Sequence, residues 1–165
     1  CINSDLANNY GNLCQRVLAF IEKNLNMKIP ENYKFLDDDN KILIKFENEY
    51  ENLIKSINNQ NINLYVNFIQ DQLFAANKYF NDQEPWKKKK DLSRLNTILY
   101  VSLELIRKLS IMLYPIIPDS SLKVLKIFNI SETAISFKSI KENNVLKPSG
   151  NLDKVSILFK KIEKL

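Results

Sequence analysis

The sequence predicts an all-α fold: an antiparallel helix bundle of about five helices over residues 3–130, followed by an extended C-terminal tail over 131–165. Three observations carry this. Only two glycines and five prolines interrupt 165 residues, so there are few places where a helix must break. Apolar residues recur at helical spacing through most of the first 130 positions, and the links between these stretches are short, as in helices that return on one another.

The first helix runs from Ser4 to about Asn26, with Leu6, Leu13, Val17, Phe20, Ile21 and Leu25 on one face, and NMKIPENYKF breaks it. A second begins after the DDDN cluster, whose acids suit a helix N-terminus, and carries Leu43, Phe46, Tyr50, Leu53 and Ile57. A third, about 63–81, shows Leu64, Phe68, Leu73, Ala76 and Phe80, with Asn63 as N-cap; it stops ahead of Pro85. A fourth, about 92–114, shows Leu95, Leu99, Leu103, Ile106, Leu109 and Leu113 and is closed by YPIIP; a short fifth ends at Phe128. Each is expected to bury a single apolar stripe. Beyond Ser131 the periodicity weakens into irregular chain with a turn at PSG, and VSILFKKIE is apolar enough to need covering by the bundle or by a neighbouring domain.

A chain of this length fits one domain and needs no metal or disulfide to hold it. Histidine is absent and the cysteines are only Cys1 and Cys14, which excludes the usual zinc ligand sets, histidine acid–base catalysis and Ser/His or Cys/His pairs. Cys14 inside a helix and Cys1 at a fraying end make a poor disulfide pair and fit a reduced, cytoplasmic setting. No apolar run reaches the roughly 20 residues of a membrane span, and the start at Cys rather than Met reads as a piece of a longer chain. The formal charge is +5, and arginine stands only at 16, 94 and 107; charge alone leaves a solvated surface and a polyanion partner equally open. Gly11 and Gly150 form no phosphate-cradling loop, and Asp37, Asp38 and Asp39 read as a helix start rather than a metal or acid–base site.

Two constellations could carry chemistry. On the first helix, Asn9, Asn12 and Arg16 form a polar row beside the apolar stripe; an arginine fork beside an amide can address a base edge, or can simply bond a neighbouring helix. The second is NDQEPWKKKKD, residues 81–91, where Pro85 restricts the backbone ahead of Trp86, the only tryptophan, and Lys87, Lys88, Lys89 and Lys90 supply positive charge for phosphates. Trp86 could stack an unpaired base or plug the end of the bundle, and spacing leaves the two readings level.

Taken together, LANNYGNLCQR at 6–16, ANKYFNDQEPW at 76–86, LIRKLSIMLYPIIPDSS at 105–121 and LFKKIE at 158–163 resemble the C-terminal anticodon-binding domain of bacterial-type methionyl-tRNA synthetases, in family order and over nearly the whole chain. The resemblance implies a bundle that follows a class I catalytic domain and binds the CAU anticodon of methionine tRNAs. It implies that Asn12 and Arg16 contact the first anticodon base, that Trp86 stacks, that Pro85 shapes its loop, and that the lysines, with Asn9, lie near phosphates. Partners so implied are methionine tRNA and the enzyme's own N-terminal catalytic domain, with no membrane. The full-length ligase would use ATP with magnesium, whereas this fragment needs no cofactor and is expected to be inactive alone. Asn81 stands where some relatives carry an acid, and Lys160 where a proline is common. The alternatives are an anticodon domain of another class I synthetase, against which NLxxR with EPW counts, and a helical protein-interaction module.

Overall fold

Among the residues described by the computed structural model, 2–31, 33–143 and 145–153, five α-helices form: α1 Ile2–Leu25, α2 Asp37–Asn58, α3 Ile62–Gln83, α4 Leu92–Leu113 and α5 Pro118–Ile127. The starts of two helices differ from expectation for local reasons. The acids of DDDN do not precede α2 but make its first turn, where the exposed N–H groups and the helix dipole favour negative charge; the Asp39 carboxylate accepts from the Leu36 N–H at 2.8 Å. The cap of α3 is Asn61 rather than Asn63, because its Oδ1 accepts from the Leu64 N–H three residues on at 3.0 Å. Asp91 does the same for α4, accepting from the Arg94 N–H at 3.0 Å, and Pro118 opens α5 where its missing donor has no cost.

The stripes are displaced in places. On α2 the buried series is Leu43, Phe46, Leu53 and Ser56, while Ile57 is exposed. On α3, Tyr65 and Ile69 are buried where Leu64 was expected. The larger correction concerns α4. It has no exposed face over 97–113, where every residue is buried, including Glu104, Arg107 and Lys108. The other four helices pack around it, and each apolar side chain so covered stabilises by roughly 1.5 to 3 kcal/mol.

The charged side of α4 is covered by the C-terminal segment. After short 3₁₀ turns at Glu132–Ala134 and Phe137–Ile140, Arg107 Nη1 and Nη2 donate to the carbonyls of Ser139 and Glu142 at 3.0 and 2.8 Å. Arg107 Nε donates to Glu104 Oε2 at 2.9 Å, and Glu104 Oε1 accepts from the Leu146 N–H at 2.9 Å. Lys108 reaches Asn143 Oδ1 at 2.6 Å, and Asn143 in turn donates to Glu47 on α2. Burial, with repulsion from Arg107, lowers the Lys108 ammonium to about 8 against the pull of Glu47 and Glu104. The PSG turn then returns the chain to the link after α1: Ile29 and Ser149–Gly150 exchange backbone hydrogen bonds, and the Leu152 N–H donates to Met27 O at 2.7 Å. The expectation for VSILFKKIE, residues 155–163, lies outside the described residues.

Candidate nucleic-acid interface

The loop between α3 and α4 is built from its sequence in a few steps. Glu84 terminates α3 in the left-handed region, φ 46° and ψ 58°, a conformation that costs a side-chain-bearing residue on the order of 1 to 2 kcal/mol. Pro85 follows at the first position of a 3₁₀ turn, Pro85–Lys87, and is buried. Trp86 is therefore carried on a short, rigid turn, closed by the Lys87 N–H on Glu84 O at 2.8 Å and the Lys88 N–H on Pro85 O at 3.0 Å.

Trp86 is divided between protein and solvent. Its ring meets Phe80 edge to face, centroids 6.2 Å apart and planes at 69°, a favoured aromatic geometry, yet 41 % of the residue remains accessible. Phe80 itself is buried near the end of α3. On the same ring lies the Arg16 guanidinium of α1, its Cζ 5.2 Å from the centroid, within cation–π range. Arg16 Nη2 also donates to Asn81 Oδ1 at 2.7 Å.

Arg16 and Trp86, remote in sequence, thus share Phe80 as a common support. One of the five guanidinium donors is committed to Asn81 among the described residues, and the side chain is exposed. Asn12 lies one turn earlier on α1, also exposed and without a hydrogen-bond partner among the described residues. Asn9 is exposed as well.

The lysines are not equivalent. Lys87 pairs with Glu84 at 2.7 Å, which neutralises that acid and the lysine together, and Lys78 pairs with Asp82 at 2.6 Å. Lys88, Lys89 and Lys90 are exposed and form no ion pair among the described residues, so they constitute the open positive charge beside Trp86.

Phe80 and Asn81 fell within the motifs, but their roles as the supports of Trp86 and Arg16 were not legible. Phe80 is one more apolar residue of the α3 stripe, and an asparagine carries no sign of the arginine that reaches it from 65 positions away. The base of the loop holds a further group. Asp39, buried in the first turn of α2, accepts a two-pronged bond from Arg94 of α4, Nη1 to Oδ2 at 2.5 Å and Nη2 to Oδ1 at 3.0 Å. It also accepts from the Tyr79 hydroxyl at 2.5 Å. Burial pushes the Asp39 carboxyl up, but the bonds from Arg94, Tyr79 and the Leu36 N–H, with the Arg94 charge, outweigh it and hold the group below its ordinary value.

Known proteins are similar to this chain in sequence and shape. The methionine–tRNA ligase of Brucella suis is 37 % identical over 139 residues, 84 % of this chain and 27 % of that protein. The ligase of Thermotoga maritima is 35 % identical over 164 residues, 98 % of this chain and 26 % of that protein. The chain therefore spans about a quarter of the length of the curated relatives it matches. The crystal structure of the free-state methionyl-tRNA synthetase of Mycobacterium tuberculosis superposes with a TM-score of 0.89 at 31 % identity, over 99 % of this chain and 34 % of that one. The sequence profile described as the anticodon binding domain of methionyl tRNA ligase matches residues 29–164. With the helical bundle, the relatives and this profile in agreement, the chain belongs to the family of anticodon binding domains of methionyl tRNA ligase.

Proposed function

We propose that this chain binds the CAU anticodon of methionine tRNAs as the anticodon-reading part of a methionine–tRNA ligase. The observation that carries the reading is the meeting of Arg16 and Trp86 across Phe80, which supports a hydrogen-bonding group and an accessible aromatic face side by side.

The two parts do different work. The accessible face of Trp86 stacks an anticodon base, an interaction available to any base, while Pro85 fixes the turn that presents it. Asn12 and Arg16 address the edge of the first base. Cytosine offers an amino donor and ring-nitrogen and carbonyl acceptors; uracil reverses the first two. An asparagine amide can turn over to suit either, but a guanidinium only donates, so Arg16 is the stricter discriminator. Lys88, Lys89 and Lys90, with Asn9 and the partly neutralised Lys87, face phosphates and add affinity without sequence preference.

In the whole ligase, methionine is attached to tRNA using ATP with magnesium, and that chemistry belongs to a catalytic domain N-terminal to this chain. A solved relative is described in complex with methionyl-adenylate. This chain's part in that ligase is to bind the tRNA. The ligase works in the cytoplasm; no helix among the described residues is long and apolar enough to cross a membrane.

The test is titration of a labelled anticodon stem-loop bearing CAU, and a second bearing UAU, at two salt concentrations. Tighter binding of CAU at both, with affinity falling steeply as salt rises, is the expected result. Equal affinities, or binding indifferent to salt as for a protein-docking module, would overturn the reading.

A further inference from the structure

We infer that Asp39, Arg94 and Gln83 form a clamp that closes the base of the Trp86 loop and sets its RNA-binding shape, a positioning role that rests on the anticodon reading above. Gln83 is the last residue of α3, and Arg94 lies in the first turn of α4; the loop between them is the one that carries Pro85, Trp86 and the lysines. Arg94 Nη2 donates to Gln83 Oε1 at 2.5 Å, so one guanidinium ties the outgoing end of the loop to the incoming one.

The same guanidinium is fixed from outside the loop by the two-pronged bond to Asp39 of α2. Asp39 is in turn held by Tyr79 of α3 and by the Leu36 N–H. Three helices are thus referred to one carboxylate, and the loop is the only connection that this network spans end to end.

Fold stability is a poor explanation for the arrangement, because a buried ion pair gains little net free energy over an apolar replacement of the same volume. Geometry is the better one. Glu84 holds a left-handed conformation that its side chain disfavours, and such strain persists only where the surroundings over-determine it. A loop whose two ends are joined by a planar, five-donor fork meets that condition; a lysine at 94 would keep the charge but cannot reach Asp39 and Gln83 with matched donors.

The experiment uses the chain's single tryptophan, whose fluorescence reports this loop and nothing else. Acrylamide quenching of Trp86 without RNA, affinity for the CAU stem-loop, and far-UV circular dichroism are measured for the wild type, Arg94→Lys and Gln83→Met. Expected for Arg94→Lys is retained helix signal, a changed quenching constant, and affinity lower by about tenfold, the factor that follows when only about a tenth of molecules hold the competent loop. Gln83→Met, which leaves the Asp39 pair intact, should move both readouts in the same direction by less. Should Arg94→Lys fail to fold, Gln83→Met carries the test. Wild-type quenching and affinity in the folded variants would overturn the clamp, as would a loss of affinity with quenching unchanged. Failure of the wild type to bind CAU would sink the anticodon reading, and quenching in the RNA-free variants would still decide whether the clamp sets the loop.

Discussion

Replacing Trp86 separates its two surfaces. Truncating a fully buried tryptophan to alanine costs roughly 3 to 5 kcal/mol of folding stability. Trp86 is 41 % exposed, so the remaining three-fifths or so, resting on Phe80, scales that figure to roughly 2 to 3 kcal/mol as an upper bound for Trp86→Ala. Trp86→Leu keeps an apolar side chain against Phe80 and should cost folding less than about 1.5 kcal/mol. It removes the flat face, however, and should weaken binding of the CAU stem-loop by roughly 1 to 3 kcal/mol, the worth of one stacked base, or about 5- to 150-fold in Kd. Folding is followed by urea denaturation with circular dichroism, and binding by anisotropy of the labelled stem-loop at fixed salt. A Leu variant that binds RNA like the wild type would refute the stacking argument. So would losses in which binding merely follows the unfolded fraction, since Trp86 would then be a plug.

Other outcomes follow from the same structure. Lys88→Ala with Lys89→Ala should weaken CAU and UAU stem-loops alike and flatten the slope of log affinity against log salt by about 1.4, two phosphates at roughly 0.7 each on a single strand; a changed CAU to UAU ratio would contradict that role. Arg107→Met leaves Glu104 buried without its ion-pair partner and the Ser139 and Glu142 carbonyls without donors, so calorimetry should show a loss of about 3 to 5 kcal/mol, only partly recovered when Glu104→Leu is added, because the carbonyls stay unpaired and the Leu146 N–H loses its acceptor. A single variant within about 1 kcal/mol of wild type would be contrary to a breaking of that buried pair. Lys108 titrates at about 8 in the fold against 10.5 ordinarily. Between those values the unfolded chain binds the extra proton, so the Lys108 contribution to stability rises with pH over that window and is at its lowest below it. Subtracting the urea-unfolding pH profile of Lys108→Met should isolate that rise, and a flat difference would count against it.

Helix number and most of the helix extents were readable because apolar spacing reports burial directly. The wrap of α4 was not. One buried stripe was expected of α4, and only the C-terminal return, which has no helical period, gives Glu104 the Leu146 N–H, Arg107 the Ser139 and Glu142 carbonyls and Lys108 the Asn143 amide oxygen. Asn61 and Asn63 are equally good caps by residue type, and the choice depends on which one has its oxygen opposite the Leu64 N–H. At the interface, Asn12, Arg16, Pro85 and Trp86 stood out by residue type and family pattern, whereas their supports did not. Phe80 was hidden among core residues, Asn81 stood out only as a departure from the family pattern, and Asp39 and Arg94 were hidden in a helix start and a charge count. Pairings across 55 or 65 positions, Arg94 with Asp39 and Arg16 with Asn81, are products of helix packing, and no local spacing encodes them.

Reading a base and attracting RNA are different acts, and Arg16 is where the two differ. The measurement compares the CAU and UAU stem-loops against wild type, Asn12→Ala and Arg16→Ala at one salt concentration. Loss of an edge contact worth roughly 1 to 3 kcal/mol should narrow the CAU to UAU ratio, most strongly for Arg16→Ala. If both variants lower the two affinities by the same factor and leave the ratio unchanged, Asn12 and Arg16 do not read the base and act on RNA only by attraction or through the fold.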